Sequence, residues 1–500
     1  MEPMGTITKY YPFIDEESKS MLNSLMKSSD NYYDFVQRLS ETVIHSEVTE
    51  NLAYIAAVQA WWCKEENLIN QIQERYGHIQ WIHPWSFHII SLAKDQEEQH
   101  DNVVEAIRLG ISVSQKKWIE TELHLLHAFF HHPFGDVTSL FEPLEKVKVL
   151  ITSNPDLKCF ESLIYAFESI AKGREGVFEE SIQTVQRGID LARDYNDELY
   201  LYMNLLQKGN ILTYFLKVKD STSVFEELYE LVQDLESPML LCEVLNDVTL
   251  LFEISGEFDL ALSSLFDIIK TEGDVPPTDS IWILLSRVYA ALGNGERALK
   301  WINKGFESCG QFEMPMMYCC KAWAFALLNQ LDQAEQSLEK AYPLVIKSGR
   351  ERTLGIYYHI AGVIELRKGN CLDAMDLLEK ALDITERNPI DKARVFLDLT
   401  RAEIAIGHQS RDETSTVYPG KWLTQLEKFA LEHEMPGIRM YAALLKSEFY
   451  QKNDQLKDAF ATLEDSLKIT DSLGVETLRK RIKKRIQEIE DLIHDEELVQ

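Results

Sequence analysis

Four histidines stand close together in this 500-residue chain: His124, His127, His131 and His132. The first three fall at i, i+3 and i+7, one face of a helix, a spacing from which imidazoles converge on zinc or nickel. Glu120 or Glu122 would supply a carboxylate from the same helix. The same spacing also describes packing: Trp282, Leu285 and Tyr289 repeat it with large apolar groups. Neutral histidines hydrogen-bonded to neighbouring helices satisfy that pattern without a metal. The expectation is therefore no metal and no cofactor, with a metal-dependent activity at His124, His127 and His131 as one alternative.

Other chemistry is harder to find. A phosphate-cradling loop needs Gly-x4-Gly-Lys-Ser/Thr, but the Gly-Lys pair here, Gly420-Lys421, is followed by Trp422 and preceded by no matching glycine. There is no HExxH, no Gly-x-Ser-x-Gly elbow and no Gly-x-Gly-x-x-Gly after a strand. His100-Asp101 and His494-Asp495 are lone pairs without further ligands at fixed spacing. No enzyme is expected. Trp61, Trp118, Trp282 and Trp323 are of a type that stacks on nucleic-acid bases, yet large aromatics equally serve as packing anchors between helices.

Composition narrows the partners. Acidic side chains number 81 against 51 basic ones, a formal charge of −30, which repels phosphate backbones and makes nucleic acid an unlikely ligand. An RNA-binding helical array is kept as an alternative. The N-terminus has no cationic stretch followed by an apolar run, and no span of 18 apolar residues occurs, so no membrane span is expected. Seven cysteines, scattered and without CxxC spacing, suit reduced thiols and a cytoplasmic location.

The elements that must position these residues emerge from an internal period. In the clearest stretch, Trp282, Leu285 and Tyr289 mark one helical face, Gly293 follows, and Ala298, Ile302 and Gly305 begin a second helix. Sixteen residues separate the first anchor from the small residue, and the offset recurs in Tyr318/Ala334, Tyr358/Ala374, Leu245/Ala261, Ala443/Ala459 and Tyr165/Ser181. Five residues before each small residue stands Gly176, Gly256, Gly293, Asn329, Gly369 or Asp454, all tolerant of turn geometry. Asp220 and Gly407 fill two larger gaps, and Phe225, standing where alanine is expected after Asp220, should push its two helices apart. Fainter turns are placed at Asn67, Asp101 and Gly135.

This spacing resembles the tetratricopeptide repeat (TPR) family, in its longer-repeat form, similar to the arrays of kinesin light chains and bacterial peptide-sensing regulators. The resemblance implies an all-α, right-handed α-solenoid of about eleven helix-turn-helix repeats. Residues 1–49 read as helical (Glu16 to Ser28, Tyr32 to His45) but outside the pattern. Degenerate repeats are expected over 50–155, regular repeats over 156–474 and a C-terminal capping helix over 475–500, with Leu478, Ile482, Ile486, Ile489 and Leu492 as its apolar stripe. The basic run Arg479 to Arg485 lies on that cap, where its cations offset the acidic body.

In arrays of this type the first helices of successive repeats line the groove that holds ligands. That geometry selects Ser280, Ile283 and Arg287; Met316, Cys319 and Trp323; Ile356, His359 and Val363; and Arg394, Leu397 and Arg401. Apolar patches beside isolated arginines suit an extended or helical peptide carrying a carboxylate. The Lys/Asn clamp by which chaperone-tail TPRs hold a terminal carboxylate is missing: Ile283 with Arg287, Cys319 with Trp323 and His359 with Val363 stand in its places. The expected function is a non-enzymatic scaffold or adaptor binding a protein or peptide, with a ligand-responsive TPR regulator as alternative. Whether the groove is open or closed on itself, and any oligomeric state, stay open at this level.

Overall fold

The computed structural model describes residues 5–87, 96–131, 138–175, 177–215, 217–255, 257–271, 279–307, 313–385, 389–409, 420–432, 436–473 and 476–499. Among these residues the regular structure is helical throughout, with no strand. After a single turn, α1 (Gly5–Thr8), come α2 (Glu16–Ser28), α3 (Tyr32–His45), α4 (Glu50–Trp62) and α5 (Glu66–Tyr76). Side-chain caps start three of them: Asp15, Asn31 and Thr49 accept from the backbone N–H groups of Ser18, Asp34 and Leu52. Next are α6 (Gln96–Val113), α7 (Lys117–His131), α8 (Thr138–Ser153), α9 (Glu161–Arg174), α10 (Phe178–Asp194), α11 (Glu198–Tyr214), α12 (Val218–Leu235), α13 (Pro238–Ser255) and α14 (Phe258–Thr271). The array continues through α15 (Asp279–Ala291), α16 (Gly295–Gly305), α17 (Met314–Leu327), α18 (Leu331–Ser348), α19 (Glu351–Lys368) and α20 (Cys371–Ile384). It ends with α21 (Pro389–Gln409), α22 (Lys421–Glu432), α23 (Pro436–Lys452), α24 (Leu456–Leu473) and α25 (Glu476–Val499).

Consecutive helices pair as hairpins, and the pairs stack into a solenoid. Two compact units are distinguished: one comprises Met1–Ile211 and Asp220–Val244, the other Leu212–Lys219, Leu245–Cys309 and Glu313–Gln500.

The bends fall where turn chemistry puts them. Gly293, Asn329, Gly369 and Asp454 have φ of 76°, 58°, 87° and 59°, the left-handed conformation that reverses the chain. Gly176 and Gly256 lie outside the described residues. All six small residues, Ser181, Ala261, Ala298, Ala334, Ala374 and Ala459, are completely buried. Their role is close approach. A Cβ on Gly305 would meet Trp282 Cβ at 2.7 Å and Met317 Cε at 2.6 Å, so the helices touch where the side chain is missing.

The frame slips in the poorer repeats. Asp220 lies inside α12, which already begins at Val218, so the bend precedes it. The small residue of that hairpin is Ser221, whose hydroxyl donates to the Gly209 carbonyl at 3.0 Å, just as Ser181 donates to the Ser169 carbonyl at 2.7 Å. Phe225 therefore stands one helical turn beyond the small position. It packs on Gly209, where a Cβ would come within 2.9 Å of its ring, so a glycine on the facing helix takes up the volume expected to force the pair apart. Asn67 and Asp101 likewise sit within α5 and α6, and Lys64, with φ 58°, makes the α4–α5 bend. Gly407 is inside α21, and Gly135 lies outside the described residues.

Residues 16–28 and 32–45 are the helices expected from their sequence. In α25, Ile482 and Ile489 are fully buried against α24 and α23, while Leu492 keeps 38% of its surface exposed, so the apolar stripe seals only the first part of the helix.

Nothing lies within 4 Å of a Cβ placed on Gly369, so Gly369→Ala isolates the backbone term. Its left-handed φ is expected to cost about 1–2 kcal/mol, read as a lowered urea midpoint. An unchanged midpoint would contradict the left-handed bend.

Candidate functional site

Two inner faces, one in each unit, carry the polar chemistry of the molecule. In the second unit the expected groove residues lie on α15, α17, α19 and α21, and Glu253 of α13 meets them. Arg287 donates to Glu253 at 3.2 Å, and Arg394 donates to the other oxygen of the same carboxylate. Arg394 also reaches Asp391 at 3.3 Å, and Arg352 donates to Asp391 at 2.8 Å. Two helical turns further, His359 Nε2 lies 2.7 Å from Asp398, which also accepts from Arg401. The arginines are thus not isolated, as the sequence implied, but paired. Glu253, Asp391 and Asp398 went unnoticed because the groove rule selects positions by offset from the anchor and ignores charges elsewhere on the helices.

Electrostatics locks these pairs. Burial alone would raise the Asp391 carboxyl, but Arg352, Arg394 and Arg287 outweigh it and hold it at about 2. Asp398, likewise opposed by burial, is brought to about 2 by Arg401 and His359. Arg287 is pushed down, first by burial and then by the charge of Arg394. Arg352 and Arg401 still keep 46% and 41% of their side-chain surface exposed.

The apolar groove positions divide. Cys319 is completely buried in a cluster with Ala322, Ala334, Leu338 and Ile360, so it faces the interior of the hairpin stack instead of lining a groove. Trp323 and Ile356 are half-buried against that cluster, and Met316 against Ile283, Ile302, Met317 and Cys320. Ile283, Val363 and Leu397 are buried. The side chain of Ser280 lies outside the described residues. The unit also closes on itself: Tyr441 on α23 donates to the Ala291 carbonyl at the end of α15 at 3.4 Å, and Phe258 lies 6.5 Å from the Tyr441 ring.

The inner face of the first unit holds something the sequence did not disclose. The segment Gly5 to Phe13, read only for the absence of a leader pattern, lies against α4, α7, Phe160 and the start of α11. The Gly5 N–H donates to Asn196 O at 2.9 Å, and a Cβ on Gly5 would sit 2.1 Å from Tyr195 O. The Thr6 hydroxyl bonds Asp197 at 2.8 Å and Glu198 at 3.0 Å. Lys9 forms an ion pair with Asp197 at 2.8 Å, each side chain 1% exposed, with its ammonium 3.6 Å from the Tyr200 ring centre. Tyr10 donates to Glu122 at 2.6 Å, and its ring meets Trp118 edge-on at 5.6 Å. Phe13 stacks on Trp118 at 5.9 Å.

Glu122 is the unusual group here. It is 3% exposed, and among the described residues its Oε2 has no hydrogen-bond partner. Burial pushes its carboxyl up to about 7, against the pull of Lys9 and the Tyr10 hydroxyl. Beside it lies a cavity of ≈ 20 Å³ lined by Trp61, Trp62, Trp85, Phe129, Phe167 and Tyr200, among others. That is room for about one water-sized group.

The histidine stripe is on α7 as expected, with His124 and His127 half-buried. Burial lowers the His124 pKa, and its Nδ1 is enclosed without a hydrogen-bond partner among the described residues. Glu122 turns toward Tyr10 instead of toward the histidines. The side chains of His131 and His132 are outside the described residues. Among the described residues no set of three or more His, Cys, Asp or Glu side chains is arranged to hold a metal. Trp61, Trp118 and Trp282 are buried, and Trp282 stacks on Trp301 at 5.7 Å. No helix among the described residues is long and apolar enough to cross a membrane.

Stacked hairpins with left-handed bends and buried small residues define an all-α helical-repeat fold. Among solved structures the chain is similar to a Rap protein complexed with competence and sporulation factor, 14% identical, covering 67% of this chain and 99% of that one with a TM-score of 0.43. A phAimR–ligand structure is 15% identical over 80% of this chain and 98% of that one, with a TM-score of 0.36. A signal-transduction ATPase with a tetratricopeptide-repeat sensor from Pyrococcus horikoshii is 13% identical over 74% of this chain and 61% of that one, with a TM-score of 0.38. The sequence matches no protein-family profile and no curated protein.

Linkage fixes the sign of the pH response. The Glu122 carboxyl, raised from 4.5 to about 7, contributes stability that is fully present below pH 4.5 and is lost as pH rises through 7. The shift corresponds to roughly 3 kcal/mol between those limits. Urea midpoints measured from pH 4.5 to 8 are expected to fall for the native chain and to lose most of that slope in Glu122→Gln. Parallel slopes would show that the carboxyl is not the titrating group.

Proposed function

We propose that this chain is a non-catalytic repeat scaffold that binds a protein or peptide bearing a carboxylate on the inner face of its second unit. The observation that carries this reading is a row of four arginines (Arg287, Arg352, Arg394 and Arg401) fixed by three buried carboxylates (Glu253, Asp391 and Asp398) within a chain of net charge −30.

Arg352 and Arg401 keep nearly half of their side-chain surface exposed while Asp391 and Asp398 hold them in place. A contact from a ligand carboxylate would add to these pairs at little ordering cost, because the guanidinium groups are already oriented. Met316, Trp323 and Ile356, half-buried nearby on α17 and α19, supply apolar surface for the ligand's side chains. Arg287 and Arg394 support the cluster from within, since each is largely buried by Glu253. The closure of α23 onto α15 argues for a short peptide or a chain end over a broad helical partner.

The test is affinity purification from the native cell, with the full chain as bait and mass spectrometry as readout. Arg401→Glu and Trp323→Ala, both at incompletely buried side chains, are expected to lose most of the partners captured by the native chain while keeping its helical circular dichroism. The same partners at the same yield from both variants would remove the second unit's inner face from the binding surface.

A further inference from the structure

The first unit offers a second site, independent of the reading above. We propose that its inner face is a binding site for a peptide that docks as short helical turns and carries a lysine followed by an aromatic residue, and that the chain's own residues 5–13, built of two such turns, hold this site as an internal occupant.

The way the segment is held argues for it. Its side-chain bonds are not local: Lys9 and Thr6 reach Asp197 and Glu198 across 188 to 192 residues, and Tyr10 reaches Glu122 across 112. The receiving groups come from separate places in the repeat array, Asp197 from the turn before α11 for the cation and Glu122 from α7 for the phenol. Aromatic walls complete the recognition. Tyr200 faces the ammonium, while Trp118 and Phe160 flank the Tyr10 ring.

A backbone donor also meets the turn between α10 and α11, where Asn196 stands at φ 50° and presents its carbonyl to Gly5. The helical turns Gly5–Thr8 and Tyr11–Phe13 bring Thr6, Lys9 and Tyr10, spaced i, i+3 and i+4, to one face, as when a short helix docks in a groove, and the main-chain contact sets their register.

The site also holds space that the segment does not fill. Glu122, flanked by the Tyr10 and Tyr54 hydroxyls, lines the aromatic cavity of ≈ 20 Å³ beside Tyr10. A ligand with a small group placed next to its aromatic ring would fill that space, which is the feature by which it would displace the internal copy.

The full chain and a synthetic peptide of residues 5–14, fluorescein-labelled, test this. In one arm Gly5→Val and Lys9→Glu together drive the internal segment out, through the clash with Tyr195 O and repulsion from Asp197. Anisotropy should show the labelled peptide binding the double variant at least tenfold more tightly than the native chain, whose own copy competes. A peptide with its lysine changed to glutamate and the following tyrosine to alanine should bind neither. Equal binding to both proteins, or none to a folded double variant, overturns the proposal.

A second arm covers the case in which that variant does not fold. A protease site engineered at Ile14-Asp15 lets the native segment be cut while every one of its contacts is kept. Exchange of the cut segment for labelled peptide, with helical signal and melting temperature restored on rebinding, supports an exchangeable site. A cut chain that never exchanges, or unfolds without recovery in excess peptide, shows that the segment belongs to the core and overturns it.

Discussion

Each hairpin of this molecule must turn its chain back on itself within a few residues and still bring two helices close enough to hide their apolar stripes. A left-handed residue performs the reversal, and five positions later a residue with little or no side chain marks the point of closest approach. Gly293 with Ala298, Asn329 with Ala334 and Gly369 with Ala374 show the two requirements coupled at a fixed offset. With that coupling in place, the large anchors on the first helix fall into the gap left by the small residue, as Trp282 does against Gly305. The stacking of hairpins, and therefore the existence of an inner face, follows from it.

Features of this local kind were legible in the sequence. Positive φ is demanded by backbone geometry within a few residues, so glycine, asparagine and aspartate at a regular interval expose it directly. Where the frame was misplaced, the cause was equally local: Ser221 serves as a small residue because its hydroxyl returns to a carbonyl on the facing helix, whereas placing the turn at Asp220 moved the expected small position to Phe225. The candidate sites were legible only in half. Arg287, His359, Arg394 and Arg401 were found by their position relative to the anchors, but the carboxylates that bind them were not, since Glu253 meets Arg394 across 141 residues. Cys319 was assigned to the surface because helical offset does not report how deeply a helix is sunk. The docking of residues 5–13 had the least signal of all. Nothing in a Thr-Ile-Thr-Lys-Tyr-Tyr stretch says that its partners wait nearly two hundred residues away.

The two units handle buried charge differently. In the first, a single cation, Lys9, is enclosed with Asp197 under aromatic rings, and a neighbouring carboxylate is driven toward its neutral form. In the second, acids and arginines alternate in a chain, and the carboxylates are held ionised far below their ordinary range. Isolation in an apolar wall favours the uncharged state of an acid, whereas immersion among guanidinium groups favours the charged one. A fully buried pair of the first kind tolerates loss of one member poorly, because the survivor has no water to turn to.

The bond from Arg394 to Glu253, together with the contact of Tyr441 with the end of α15, ties distant turns of the second unit to one another. A row of hairpins touching only its nearest neighbours would behave mechanically as a soft spring, lengthening smoothly as each joint opened by a small angle. Clasps between non-adjacent coils change that response. Tension applied to this unit would meet stiffness first and then a sudden release as the clasps part, giving a force-extension trace with a step where a simple spring shows a slope.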